Sequence, residues 1–443
     1  MPALRQVATM GLYQLVFVLV FVVYSPLLIW RMILNPGYRR GILERTGRVP
    51  RVDSERPIVW IHGVSVGEVK VAGGLIEALK AQYPNLELVL SSTTPTGHSL
   101  ARKLHPDLRV IYYPLDFGAF PRRALDRVKP VCVLLVELEI WPNFLHAAAR
   151  RRIPVAVVNG RISGRSFRGY RLFRGLLPQF NLIQRFCVQD EAYQERLRRL
   201  DVDPARIELT GNMKYDSVTL KAPTSASEEL RSWLSPDGRE VVVAGSTHAD
   251  EEANLAALIG RLRSGMETGP RLVLAPRHPE RSGGVRDAVT KLGAGCVCWS
   301  QVSAPLPPLK DQDVVLVDTI GQLENFYGAA DVAFVGGSMV PRGGQNMLEP
   351  AALGKAVVIG PHVDNFLTDV ELLCRADAAV MVQSWDELES RLGELLADDD
   401  LRRELGERAV AVIRDNKGAT TRTLAILAPM LGRLGSERSI VRG

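Results

Sequence analysis

Acidic side chains follow two predicted strands in the first half of the chain, where they could take a proton from a hydroxyl group. Glu68 ends the segment HGVSVGE, in which a glycine turn opens a predicted helix. A carboxylate in the first turn of a helix can act as a general base, or it can simply complement the helix dipole. Glu137 and Glu139 follow another predicted strand, and strand alternation would place both on one face. Two close carboxylates are costly unless they bind a cation or hydroxyl groups; a solvated loop pair is the alternative.

Arginine and glycine residues after other predicted strands could bind phosphate groups. Arg161 lies in the segment NGRISGRS, between two further groups of arginines. Clustered guanidinium groups suit the phosphate of a lipid or of a soluble substrate, although a solvated basic helix face has the same composition. In the second half, glycine turns at helix starts, together with one arginine, would form an oxyanion and phosphate cradle. The residues at these turns are Ser246, Arg277, Gly336, Gly337 and Ser338.

A further glycine pair precedes Gln345, Asn346 and Glu349 at the start of a predicted helix. Asn346 and Glu349 are three residues apart, so they share one face of that helix. A carboxylate at this place can accept hydrogen bonds from both hydroxyl groups of a ribose. The chain has no GxxxxGK[ST] sequence, so it lacks a P-loop. One glycine pair alone would be weak evidence, and the nucleotide site is predicted from three such turns in one half of the chain. The histidines show neither HxH nor HExxH spacing, and we therefore expect no metal site.

Short apolar runs alternate with segments of helical period along the chain, which is typical of βαβ units in parallel sheets buried on both faces. A polar stretch, Asn212–Ser227, separates two such halves and predicts a hinge. Ligands of doubly wound sheets bind beyond the carboxyl ends of the strands. The last segment, Asp400–Leu434, is predicted to be helical throughout. The predicted strands are Ile58–His62, Leu86–Ser91, Arg109–Tyr113, Val131–Val136, Val155–Val158, Leu182–Val188, Val241–Ala244, Leu272–Ala275, Cys296–Trp299, Val314–Val317, Val332–Val335, Val357–Ile359 and Ala379–Val382.

The N-terminal segment Gln6–Trp30 contains no charged residue. A helix of this length spans about 37 Å, enough to cross a hydrocarbon core of ~30 Å. Arg5 alone precedes the run and several arginines follow it, so the positive-inside rule predicts that the rest of the chain is cytoplasmic. A cleaved signal peptide and a helix that dips into the membrane without crossing are the alternatives.

Composition sets the broad class of the protein. The chain has 443 residues, 46% of them hydrophobic, and a net charge of +6. These values exclude a disordered chain and a polytopic membrane protein. The modest positive charge fits anionic surfaces or substrates, and no nucleic-acid motif accompanies it. The five cysteines form no CxxC pair, which indicates reduced thiols rather than a disulfide framework or a zinc site.

Taken together, these segments resemble the 3-deoxy-D-manno-octulosonic acid (Kdo) transferases of Gram-negative lipopolysaccharide synthesis. The resemblance covers essentially the whole chain. It implies an α/β protein of GT-B fold, with two doubly wound Rossmann-like domains facing a cleft and an N-terminal membrane-anchor helix. The implied parts are an anchor (1–36), an acceptor domain (37–216), a hinge (217–227), a CMP-sugar donor domain (228–420) and a C-terminal helix and tail (421–443). The segments that carry the resemblance are HGVSVGE, SSTTPTG, YYPLD, ELEIWPN, NGRISGRS, GNMKYD, GSTHADEE, APRHPER, FVGGS and GGQNMLEPAALGKAVVIGP.

The resemblance implies an inverting glycosyltransferase that moves Kdo from CMP-Kdo to the disaccharide precursor of lipid A. Glu68 would be the general base, and Arg277 would meet the CMP phosphate. The family usually has histidine where this chain has Gln345, and glutamine cannot titrate near neutrality. The other implied donor residues are Ser246, Gly336, Gly337, Ser338, Gln345, Asn346 and Glu349. The implied acceptor or cleft residues are Ser65, Gly67, Glu137, Glu139, Arg161 and Lys214.

The expected partners are CMP-Kdo, the lipid A precursor and the cytoplasmic face of the inner membrane, with no nucleic acid. We expect no cofactor and no required metal, since helix ends and arginine can carry the phosphate charge. Two alternatives stay open at this point. One is a GT-B transferase that uses a UDP-sugar on another membrane lipid, and the other is a non-catalytic, membrane-tethered nucleotide-binding module.

Overall fold

Two units, each built around a parallel β-sheet, make up the computed structural model of the chain. The first unit comprises Met1–Ser217 and Lys417–Gly443, and the second comprises Val218–Asn416. The structure describes residues 41–173, 178–218, 220, 224–266 and 268–436, together with positions 11, 13, 14, 19, 23, 25, 27 and 30.

In the first unit, strands and helices alternate along the chain. The strands are β1 (Ile58–His62), β2 (Glu87–Ser92), β3 (Arg109–Tyr112), β4 (Cys132–Val136), β5 (Val155–Gly160), β6 (Arg185–Val188) and β7 (Ile207–Leu209). The helices are α1 (Ile42–Arg45), α2 (Val66–Gln82), α3 (Pro95–Leu104), α4 (Phe120–Val128), α5 (Pro142–Arg150), α6 (Gly164–Phe173), α7 (Glu191–Arg198) and α8 (Lys214–Ser217). All strand pairs are parallel, in the order β3-β2-β1-β4-β5-β6-β7. The winding direction reverses between β1 and β4, so their carboxyl ends mark the place where such sheets bind ligands.

The second unit repeats this architecture. Its strands are β8 (Val241–Thr247), β9 (Arg271–Pro276), β10 (Cys296–Cys298), β11 (Val314–Leu316), β12 (Val332–Val335), β13 (Ala356–Ile359) and β14 (Val380–Met381). Its helices are α9 (Ser225–Leu234), α10 (Glu251–Ser264), α11 (Ser282–Lys291), α12 (Leu323–Ala329), α13 (Leu348–Ala352), α14 (Leu367–Arg375), α15 (Trp385–Ala397) and α16 (Asp399–Asp415). The parallel order is β10-β11-β9-β8-β12-β13-β14, which places the reversal between β8 and β12.

The central strands carry apolar side chains at nearly every position, because helices cover both faces of each sheet. All five residues of β4 are buried, and so are all four of β12. On one face of the first sheet, α2 packs Leu75, Ile76 and Leu79 into the core. The chain returns to this unit as α17 (Ala419–Ser436), whose Leu424, Leu427 and Leu431 join the same core. The C-terminal helix is therefore part of the first unit, although it follows the second in sequence.

Each strand predicted from the sequence is present, with ends that differ by a few residues. Strand β7 was not predicted, because its three residues, IEL, carry too short an apolar pattern. The prediction of an unbroken helix over Asp400–Leu434 is wrong. Helix α16 ends at Asp415, Gly418 adopts φ +87°, and α17 begins at Ala419. The Asp216 carboxylate accepts hydrogen bonds from the backbone N–H groups of Gly418 (2.6 Å) and Thr420 (2.5 Å), which satisfies free amides at the new helix start.

The predicted membrane anchor, residues 1–36, lies largely outside the described residues. Among the residues that are described, no helix is both long and apolar enough to span a membrane. Positions 219 and 221–223 of the predicted hinge, and the last residues of the predicted tail, also lie outside the described part of the chain.

Candidate active site

Glu68 stands at the start of α2, directly after the carboxyl end of β1. Its backbone N–H donates to the Ser65 side-chain oxygen at 3.4 Å, and the Ser65 hydroxyl donates to Glu68 Oε1 at 2.9 Å. Glu68 Oε2 accepts a hydrogen bond from the Val64 N–H at 2.6 Å. This capping box fixes the half-buried carboxylate on its own helix. Burial raises the pKa of Glu68, and the negative charge of Glu137 raises it further. The hydrogen bonds from Val64 and Ser65 lower the pKa, but the net shift is upward.

Glu137 and Glu139 lie beside Glu68, because β1 and β4 are parallel neighbours whose carboxyl ends meet. Glu137 adopts φ +61°, so simple strand alternation ends before it. Burial, followed by the charges of Glu68 and Glu137, raises the pKa of Glu139 to about 7. The structure thus brings together the three carboxylates that the sequence singled out. Such a cluster resists full ionisation, so a group within it can accept a proton near neutral pH.

A buried aromatic layer supports this edge of the sheet, and sequence reasoning did not identify it. His62 is fully buried at the end of β1, with Nδ1 2.9 Å from the Ser91 hydroxyl oxygen. Its ring stacks on Tyr113 at a centroid distance of 3.7 Å. Burial lowers the pKa of His62 to about 3, so the imidazole is neutral. Burial, together with the charges of Asp116 and Glu139, raises the pKa of Tyr113.

Asp116 is a second residue that sequence reasoning missed. Its carboxylate accepts hydrogen bonds from the backbone N–H groups of Asn143 (2.9 Å) and Phe144 (2.7 Å) at the start of α5. The Tyr13 hydroxyl donates to the same carboxylate at 3.0 Å. Burial raises the pKa of Asp116 to about 6. Because α5 follows the loop that carries Glu137 and Glu139, Asp116 fixes one end of that loop.

Arg161 and Lys214 also follow strands of the first sheet. Arg161 is half-buried after β5, and Lys214 begins α8 after β7. Asn159, with φ +53°, joins these two segments by accepting the Met213 N–H at 2.9 Å. Both cationic residues therefore belong to the carboxyl edge of the sheet, as expected from their positions after strands. Their role towards an acceptor stays a prediction.

In the second unit, the glycine turn after β12 is filled by Glu251, the first residue of α10. Glu251 Oε2 accepts the N–H groups of Gly337 (2.7 Å) and His248 (2.8 Å). Its Oε1 accepts those of Ser338 (3.1 Å) and Met339 (3.0 Å). The side chain is fully buried, and burial raises its pKa despite these four hydrogen bonds. The Gly337 and Ser338 amides, which the sequence predicts as part of a phosphate cradle, thus donate to a carboxylate of the protein itself.

The small residues of this turn have packing roles. A Cβ on Gly336 would lie 2.5 Å from the Cα of Thr247, so only glycine fits between the ends of β12 and β8. The Ser338 hydroxyl donates to the Val335 carbonyl and accepts from the Gly360 N–H at 2.9 Å, which joins β12 to β13. Contact of Gly336, Gly337 or Ser338 with a donor stays a prediction.

Cationic groups collect around the end of β8. Arg277 is exposed after β9, and its backbone N–H donates to the Thr247 carbonyl at 2.9 Å. Burial lowers the pKa of His248, and so do its neighbours His278, Arg342, Arg281 and Arg277, in decreasing order. Of these, sequence reasoning identified Arg277 alone.

Gln345 belongs to the same cluster, with Nε2 3.4 Å from His248 Nε2. Ser246, with φ +56°, lies where the pairing of β8 and β9 shifts register. Asn346 donates to Glu349 Oε1 at 2.9 Å, so the two residues meet. They do not share a helical face as predicted, because α13 begins at Leu348 and Asn346 precedes it. Glu349 is exposed. The arrangement offers positive charge for a phosphate and a carboxylate for hydroxyl groups.

Across the described residues, no group of three or more His, Cys, Asp or Glu side chains is arranged to hold a metal ion.

Comparison with known structures identifies the fold. The UDP-GlcNAc 2-epimerase of Neisseria meningitidis, 13% identical, superposes with a TM-score of 0.55 over 85% of this chain and 100% of its own. MurG of Acinetobacter baumannii, 15% identical, gives a TM-score of 0.52 over 84% of this chain and 99% of its own. With the two seven-stranded parallel sheets of the described residues, these likenesses establish the GT-B fold.

Comparison of sequences identifies the family. The 3-deoxy-D-manno-octulosonic acid transferase of Haemophilus influenzae is 33% identical over 405 residues, which cover 90% of this chain and 93% of that protein. The transferase of the same description from Bordetella pertussis is 34% identical over 388 residues, covering 84% and 87%. A family model described as 3-deoxy-D-manno-octulosonic-acid transferase (kdotransferase) matches residues 40–217. The chain therefore belongs to the 3-deoxy-D-manno-octulosonic acid transferase family.

Proposed function

We propose that this chain moves Kdo from CMP-Kdo to the disaccharide precursor of lipid A, with inversion at the transferred carbon and with Glu68 as the general base. Family membership supports the reaction. The observation that carries the mechanism is the place of Glu68 at the point where the first sheet reverses its winding, with a pKa raised by burial and by Glu137.

In this mechanism, Glu68 takes the proton of an acceptor hydroxyl as its oxygen bonds to the anomeric carbon of Kdo. The bond from that carbon to the phosphate oxygen of CMP breaks, and CMP leaves with the electron pair. A single displacement of this kind inverts the carbon. Glu68 Oε2 accepts from the Val64 N–H and Oε1 from the Ser65 hydroxyl. A carboxylate has about four lone-pair sites, so Glu68 can still accept the acceptor proton. The raised pKa brings its basicity nearer to the operating pH.

The donor binds to the second unit in this proposal. Arg277 and Arg342 face the leaving phosphate, and their charge stabilises the anion as it departs. His248 and Gln345 donate hydrogen bonds beside them. Since Gln345 stays neutral and already lies against His248, it binds the donor rather than transferring a proton. The exposed Glu349 carboxylate, with Asn346 beside it, accepts the ribose hydroxyls of the nucleotide.

The acceptor is a phosphorylated lipid, so we infer that the chain works at the cytoplasmic face of the inner membrane. The uncharged segment Gln6–Trp30 and the arginines that follow it support this location. Arg161 and Lys214, on the carboxyl edge of the first sheet, would meet acceptor phosphates there.

The test of this proposal is the variant Glu68→Gln, which keeps the size of the side chain and removes the base. We expect transfer from CMP-Kdo to the lipid acceptor, followed by mass spectrometry, to fall by ~10²–10⁴-fold. Glu77→Gln, an exposed change on the same helix, is the matched control and should leave the rate unchanged. Transfer by Glu68→Gln at the rate of the control would refute the mechanism. Transfer of a UDP-linked sugar in place of Kdo would refute the reaction.

A further inference from the structure

Four arginines surround a cavity of about 440 Å³ in the first unit, and none of them belongs to the proposed site. We call it the arginine cavity. It lies between the segment 47–52 and helix α4. Its lining residues are Gly47, Arg48, Arg51, Arg123, Asp126 and Arg127.

The segment 47–52 is fixed against α4, so this cavity is a built feature of the fold. The Val52 N–H donates to the Arg127 carbonyl at 3.1 Å, and Arg127 Nε donates to the Val49 carbonyl at 2.6 Å. Val49 and Val52 are buried beneath the segment. Gly47 has φ +80°, and a Cβ there would lie 2.2 Å from the Phe120 carbonyl oxygen, so the close approach requires glycine.

Positive charge within the arginine cavity is not balanced by the protein. Asp126 is the one carboxylate among the described residues that line it, and it is paired with Arg151 at 2.7 Å. Arg48, Arg51 and Arg123 are exposed, and across the described part of the chain their guanidinium groups form no hydrogen bond or ion pair. Arg123 lies over the Phe120 ring, 5.9 Å from its centroid. Arg123 and Arg127 are four residues apart on α4, where like charges repel. A bound anion would remove this repulsion.

We propose that the arginine cavity binds a phosphate group. Guanidinium groups recognise phosphate through paired N–H···O hydrogen bonds, and several of them converge here. The volume also accommodates the small polar group to which a phosphate is attached. A phospholipid headgroup and a soluble phosphate share this chemistry, and both are considered as sources.

This site is separate from the carboxylates of the first sheet. The Arg51 carbonyl accepts a hydrogen bond from Arg109 at 3.2 Å, and Arg109 is the first residue of β3. The arginine cavity therefore reaches the amino ends of the strands, whereas Glu68 follows the carboxyl end of β1. The proposal does not depend on the reaction that the chain catalyses.

The first experiment titrates the full chain, in non-ionic detergent at constant ionic strength, with inorganic phosphate in a calorimeter. One variant carries Arg48→Gln, Arg51→Gln and Arg123→Gln. The matched control carries Arg198→Gln, Arg286→Gln and Arg414→Gln, which are exposed arginines elsewhere with the same change in net charge. All proteins also carry Arg277→Gln, because the donor site would bind phosphate too. We expect at least tenfold weaker binding in the cavity variant than in the control.

The second experiment distinguishes the sources with vesicles of phosphatidylglycerol or of phosphatidylcholine. If a lipid headgroup is the ligand, binding to phosphatidylglycerol falls in the cavity variant more than in the control. If a soluble phosphate is the ligand, vesicle binding is equal in the two variants while the calorimetric difference persists. Equal affinities of both variants in both experiments, or no binding at all, would overturn the proposal. Thermal unfolding in phosphate-free buffer checks folding, and the cavity variant should unfold at no lower temperature because it has lost repelling charges.

Discussion

Glu251 Oε2 lies 2.7 Å from the amide nitrogen of Gly337, so the first residue of α10 occupies the anion-binding turn after β12. Consecutive N–H groups in such a turn form a concave site for negative charge. Here the protein supplies that charge itself. Glu251 also accepts the His248 N–H, so one carboxylate orders the ends of both strands at the reversal of the second sheet.

We predict that Glu251 positions the donor site without touching the donor. Glu251→Gln would turn an amide group towards backbone N–H donors, leaving at least one buried donor unsatisfied at a cost of about 1–3 kcal/mol. The expected result is a lower unfolding midpoint and a KM for CMP-Kdo raised about tenfold, with a smaller effect on kcat. Steady-state kinetics and thermal unfolding measure both. The exposed Glu229→Gln is the matched control. A normal KM in a destabilised variant would show that the role is structural only.

The pH dependence of transfer should report the interaction of Glu68 with Glu137. The base must be ionised, so kcat/KM rises with pH through the pKa of Glu68, which lies above its ordinary value. Glu137→Gln removes a negative charge that raises this pKa. The acidic limb of the profile should therefore move to lower pH. Glu77→Gln, an exposed change further along the same helix, should leave the limb in place. An unmoved limb in Glu137→Gln would contradict the prediction.

Glu139 should make the protein less stable as pH rises. Its pKa in the folded chain is raised to about 7 from 4.5, so between these values the native state holds a proton that the unfolded chain has released. Stability therefore falls as pH increases across this window. Glu139→Gln removes the effect and should stabilise the protein at pH 8 by on the order of 3 kcal/mol, with little gain at pH 4.5. Guanidinium unfolding over this pH range tests it, and a gain that is equal at both ends would contradict the assignment.

Local patterns predict every strand of the two sheets except β7, and they predict one contact among the candidate site residues. The strand β12 reads as a short apolar run, and the meeting of Asn346 with Glu349 follows from their spacing within four residues of chain. The position of Glu68 was also predictable, because a helix start after a parallel strand is itself a local signal; its role as a base stays a prediction.

Partners distant in sequence were not predictable. Glu251 lies 86 residues from Gly337, and Asp116 lies 27 from Asn143. The sequence shows that a turn or a helix start needs an acceptor, yet only the packed sheet determines which carboxylate supplies it. The break before α17 has the same origin, because Asp216, which caps it, is 202 residues from Gly418.

Nucleotide binding offers a test of the donor assignment that needs no lipid acceptor. If the second unit holds CMP-Kdo, CMP should raise the thermal unfolding midpoint of the full chain more than UDP does at equal concentration. Arg277→Gln should weaken CMP binding by ~10–100-fold, since hydrogen bonds to charged groups contribute about 1.5–3 kcal/mol. The matched control is Arg286→Gln, an exposed change in the same unit, which has the same net charge as Arg277→Gln. It should bind CMP as the unchanged protein does. Stronger stabilisation by UDP would favour a UDP-sugar donor, and equal CMP binding by both variants would remove Arg277 from the phosphate site.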